Sequence, residues 1–191
     1  MARSTAEVLL GTGAFYTAPH GETFPTNPTT AIAGNWTDPG YSEDGWNLVA
    51  DLTYEYFTPA EEIDPIAVIK MAQEIHFRGV VVQFSLANLK VALGGGTIVT
   101  DAGPPAIATY TPPASDAFDY FATLFRTKAP ESAPGNTDIR DVQVPRMLSV
   151  SSLDIAHMKG ASPSSVAMDF RAIKESGSDI FTIIETTNGG S

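Results

Sequence analysis

Three histidines, His20, His76 and His157, are the side chains whose own titration range suits proton transfer near neutral pH. They stand far apart in the chain, and no two have the spacing of a metal site or a catalytic triad. They read as surface or sheet residues. Glu61, Glu62 and Asp64 form a tight acidic group, but the central glycine and closing glutamate of a calcium loop are missing. Gly94-Gly95-Gly96 follows a helical pattern instead of preceding one, and no lysine comes after it, so it does not read as a phosphate loop. Gly11-Thr12-Gly13 is too short for a dinucleotide fingerprint, and no serine sits in a nucleophile elbow. There is no cysteine, which excludes disulfides and thiolate metal sites. The expectation is a protein that is not an enzyme, with no cofactor and no metal.

The charge balance points the same way. Asp and Glu number 22 against 11 Lys and Arg, a formal net charge of −11, although charged residues make up only 17% of the chain. The imbalance comes from few bases, not from an acidic tail. A protein of this charge should not bind nucleic acid non-specifically, yet it can border nucleic acid without sticking to it. A length of 191 residues fits one domain, or a domain with arms. The first residues carry no apolar signal-peptide core, and no run approaches the roughly 18 apolar residues of a membrane span. The expected compartment is a reducing cytosol.

The elements that position these residues are organised around 45–96. From Gly45 to Phe57, Trp46, Leu48, Ala50, Leu52, Tyr54 and Tyr56 alternate with Asn47, Val49, Asp51, Thr53 and Glu55. A period of two with one apolar and one polar face predicts a strand packed on one side and wet on the other. Thr58–Pro65 holds two prolines and three acids and reads as a loop. Extended runs at Ile66–Met71 and Ile75–Val82 predict one or two return strands. Phe84–Leu93 then changes period: Leu86, Leu89 and Leu93 share one helical face and should pack on the sheet. Ser85 is the expected N-cap and the three glycines the C-cap.

Residues 1–44 are dense in glycine and proline and predict an extended arm, but Phe15, Tyr16, Phe24, Ile32, Trp36 and Tyr41 are interleaved. Such an arm should lie against its own domain or a neighbour. Further strands are predicted at Thr97–Thr100, Phe118–Lys128, Arg140–Leu153 (interrupted at Pro145), 154–159, Ser165–Ile173 and Ile180–Thr186. A Pro-rich surface excursion is expected over 101–116, a loop over 129–136 and a polar tail over 187–191. The total is a mainly β fold, an antiparallel β-sandwich or open barrel over 45–186 with one flanking α-helix.

The order of the pieces resembles a known family. Ala18-Pro19-x-Gly21 and Pro25 are followed by Trp36, by Gly40-Tyr41-Ser42-Glu43-Asp44-Gly45, by the strand–loop–strand unit, and by the run from Val82 to Gly96. This is similar to the major tail tube protein of long-tailed, non-contractile bacteriophages. The resemblance covers 1 to about 100 well and the rest by strand pattern. It implies a phage tail tube fold, in which subunits form hexameric rings that stack into a hollow tube lined by a continuous β-barrel. It also implies assembly in the host cytoplasm and a place in the virion tail. Expected partners are other copies of the chain and the tape measure, tail terminator and distal tail proteins, with DNA passing through without specific binding and no membrane. On this reading Asn47, Asp51, Thr53 and Glu55 face the lumen. The loop with Glu61, Glu62 and Asp64 reaches an adjacent ring, where Arg126, Lys128, Arg140 and Arg146 are the candidate basic partners. A different class, an extracellular β-sandwich that binds carbohydrate, is the alternative, and it requires a monomer with an aromatic platform.

Overall fold

The computed structural model describes residues 13–61, 63–114, 116–128, 139–153 and 165–186. The expectations for 154–159, for 187–191 and for the loop 129–136 lie outside them, as do Glu62 and His157. The described residues form nine strands and one helix: β1 (Gly13–Pro19), β2 (Ser42–Phe57), β3 (Ala67–Val81), α1 (Leu86–Ala92), β4 (Thr97–Asp101), β5 (Ile107–Thr111), β6 (Tyr120–Lys128), β7 (Ile139–Ser149), β8 (Val166–Ala172) and β9 (Thr182–Glu185). The fold is mainly β and antiparallel, with one helix on its flank, as the strand pattern predicted.

The main sheet runs β1-β6-β7-β8-β3-β2, with β9 also on β7. β7 serves two partners along one edge: Arg140–Gln143 pair with β9 and Met147–Ser149 with β8. Pro145 sits between the two stretches. There Ala122 of β6 stands against both Pro145 and Arg146, a bulge that tolerates a residue with no N–H to donate. The ends of the sheet meet. Phe15 of β1 stacks on Trp46 of β2 with ring centroids 3.7 Å apart. The curled sheet encloses a core of Phe15, Phe77, Val144, Met147, Met168 and Phe170. Trp46 lies flat over β3 because its cross-strand neighbour is Gly79, where a Cβ would come within 2.7 Å of the indole.

Several expectations are corrected. Gly13–Pro19 is a strand of the main sheet and not part of an arm. The following segment, 20–41, does lie against its own domain. Gln143 Nε2 donates to Pro25 O and Arg126 Nη1 to Thr30 O, both at 2.8 Å, and Thr17 bridges Thr37. This cover buries the second face of β6, so Ala122 and Leu124 are as buried as Phe121 and Thr123. The excursion 101–116 contains β5, which pairs with β4 as a separate hairpin. The hairpin is tied to the end of α1 by Tyr110 Oη donating to Gly95 O at 2.8 Å, and burial raises this phenol above its ordinary pKa of 10.0.

The helix ends as expected. Ser85 accepts from Asn88 N at 3.1 Å, and Gly94, at φ +72, lets Gly95 N reach Lys90 O and Gly94 N reach Val91 O, a Schellman closure. Its packed stripe differs. Leu89 is buried, but Leu86 and Leu93 are half-buried, and the other buried positions are Asn88 and Ala92. Asn88 is not apolar at all. Its amide donates to Pro39 O and Gln83 O at 2.8 Å each, pinning the crossing segment to the helix.

Candidate functional site

β2 and β3 form one long hairpin. Ile75 is still buried and Ala67–Ala72 are exposed; β8 pairs β3 only over His76–Val81, so nine residues of β3, Ala67–Ile75, run on without a β8 partner. At about 3.3 Å per residue that is about 30 Å. The return strand is continuous and not split, because a bulge at Met71 absorbs the irregularity between the pairs Thr53–Ala72 and Tyr54–Lys70. The acidic loop sits at the tip, with Glu61 and Asp64 exposed and Ile63 97% exposed.

Alternation along β2 follows the expected faces. Asn47, Asp51, Thr53 and Glu55 share the side away from the core, opposite Arg78, Glu74, Ala72 and Ile69, and all four are exposed. The other side holds a correction. Leu48 is half-buried against the core, but Leu52 and Tyr54, expected to be packed, are 45% and 46% exposed, and Tyr56 is 62% exposed. The sheet that would cover them has ended. Phe57, Ile66, Val68, Ile69 and Met71 are also exposed. The hairpin therefore presents apolar side chains on both faces. Among the described strands, none pairs with the outer edge of β2 or with β3 over 67–75. An unsupported two-stranded ribbon is marginal in water, and open edges with apolar faces mark a surface made for another chain.

The polar side carries a ladder that sequence reasoning missed. Arg171 Nη2 donates to Glu74 Oε1 at 2.6 Å. His76 Nε2 lies 3.8 Å from Glu74 Oε2, His76 Nδ1 is 2.7 Å from Asp169 Oδ1, and Arg78 Nε donates to Asp169 Oδ2 at 2.9 Å. Ser151 braces Asp169, accepting from its backbone N at 2.7 Å. Glu74, His76 and Arg78 at i, i+2 and i+4, with Asp169 and Arg171 at i and i+2, were the available signal. An open cleft of about 390 Å³ runs beside the ladder, between Asn47, Arg78 and Ser151. The arginines are about half exposed, so each pair is worth only about 0–1 kcal/mol.

The candidate basic partners are placed as follows. Arg126 is already engaged within the protomer. Its fork holds Asp141, fully buried, through two 2.7 Å bonds. Arg140 pairs with Glu185 at 2.9 Å, and Arg146 lies 3.8 Å over the Tyr120 ring. The side chain of Lys128 lies outside the described residues. Among the described residues no group of three His, Asp or Glu is placed to hold a metal ion, and no helix is long and apolar enough to cross a membrane. His20 lies 3.4 Å from Glu175 on the surface. No family model matches the chain, and no curated protein matches it either.

Proposed function

We propose that this protein is a structural subunit that assembles with copies of itself, the tail tube subunit of a non-contractile phage, with its place in the virion tail. The observation that carries the reading is the β2–β3 hairpin, about 30 Å of ribbon with apolar side chains on both faces and open edges on both sides. A monomer gains nothing from such an element. The two edges are different surfaces, which favours head-to-tail contacts between copies, and such contacts close into a ring when the rotation from one copy to the next divides the full turn. The face with Asn47, Asp51, Thr53 and Glu55 then lines the bore, and a wall with surplus acid suits the passage of DNA, which carries one charge per about 1.7 Å of axis. The alternative of a carbohydrate-binding module draws on Tyr54 and Tyr56, exposed on one side of the same ribbon.

Sedimentation velocity across a concentration series separates the two. Ring-sized and larger species support the proposal. A 20.2 kDa monomer at every concentration, with affinity for a soluble polysaccharide, would replace it.

A further inference from the structure

The ladder on the polar face does little for stability, and it need not exist for a wall that is simply acidic. Arg78 and Arg171 are the cations that β2, β3 and β8 place on that face, and they are 49% and 47% exposed. Lys70 faces the other way, beside Tyr54. A half-exposed guanidinium is the side chain best shaped to take a phosphate in a forked hydrogen bond. Each of these two has a carboxylate against it, on a neighbouring strand or its own cross-strand partner: Asp169 of β8 is directly opposite Arg78 of β3, and Glu74 of β3 reaches Arg171 of β8. Asp169 is itself fixed by Ser151 and His76. Asp51 and Glu55, on the same face, stand opposite Glu74 and Ile69, so the register sets no base against them, while each arginine has its carboxylate.

We propose that Glu74 and Asp169 are guards, residues that occupy Arg171 and Arg78 so that the face rejects the phosphate backbone of double-stranded DNA. The idea rests on the reading that this face borders DNA. Its chemistry, however, belongs to the protomer and is testable in any assembly state. The carboxylates remove the affinity of the two arginines for phosphate.

The test measures binding of a short fluorescent duplex DNA to the purified protein at low salt. The wild type should not bind. Glu74→Gln with Asp169→Asn, which keep shape and remove charge, should bind, with a gain on the order of tenfold for each freed arginine. The affinity should fall with salt at a log–log slope of about −1.8 for two phosphates engaged. Adding Arg78→Gln and Arg171→Gln should abolish the binding. Because Asp169 also braces its strand, Glu74→Gln alone serves as a second variant, frees Arg171 only, and should show about half that slope. A folded double variant that ignores DNA, or binding that survives loss of both arginines, overturns the proposal. Electron microscopy of the same samples reports separately on assembly. Rings without DNA binding in the double variant would reject the guards alone, whereas DNA binding by a protein that never assembles would reject the tube alone.

Discussion

Replacing Tyr54 and Tyr56 together by threonine tests the hairpin as an assembly element while keeping strand-favouring side chains at both positions. A buried tyrosine removes about 200 Å² from water. At 46% and 62% exposure the two leave about 90 and 120 Å² free in the protomer. Burying that area between subunits is worth at most about 5 kcal/mol, at about 25 cal/mol per Å². Ordering costs and imperfect fit reduce the figure, but a third of it still weakens each contact more than tenfold. The protomer should lose little, about 0.5 kcal/mol per site, because neither ring is packed in it. The assay pairs thermal unfolding followed by circular dichroism with light scattering against concentration. The expected result is a Tm lowered by no more than about 2–4 °C, with a critical concentration raised at least tenfold. An unchanged critical concentration would refute the assembly role. A collapsed Tm would show that the tyrosines pack within the protomer, against their exposure in the structure.

Four further outcomes are expected. Leu89→Ala should cost about 2–5 kcal/mol in chemical unfolding, and Leu86→Ala clearly less, because only the first is buried; equal losses would reject this packing. Asp141→Asn should cost about 3–5 kcal/mol and loosen the segment around Thr30, seen as faster hydrogen exchange there, because it strips the charge partner from Arg126; wild-type stability would contradict the buried pair. Asp51→Lys with Glu55→Lys should leave the fold and assembly intact and slow DNA release in reconstituted particles, and normal release would remove these residues from the bore. Glu61→Lys with Asp64→Lys should give folded protein that forms shorter tubes, with the difference shrinking as salt rises; tubes of normal length at all salts would leave the tip loop without a role.

The fold was legible where one periodicity dominated. Val166, Met168 and Phe170 against Ala167, Asp169 and Arg171 announced β8, and Ser85 with Gly94 announced the ends of α1. β1 was hidden because Gly13 and Pro19 bound a seven-residue strand that opens into a long glycine- and proline-rich segment, and such density outweighs a short run of Phe15, Tyr16 and Thr17. β5 was hidden by the prolines that flank it. The polar face of β2 could be read, since alternation is local. That Leu52 and Tyr54 stand free could not be, because their exposure depends on where β8 stops, far away in sequence. For the same reason the pairing of Arg78 with Asp169 and of Arg171 with Glu74 is a property of register between strands and is written in neither strand alone.

The most direct measurement is cryo-electron microscopy of the purified, assembled protein. The expected image is a hollow tube of stacked six-membered rings, with the β2–β3 hairpin paired to neighbouring subunits and Asn47, Asp51, Thr53 and Glu55 turned to the bore. Assemblies with that face on the outside, or a protein that remains a monomer with its hairpin free, would contradict the proposal.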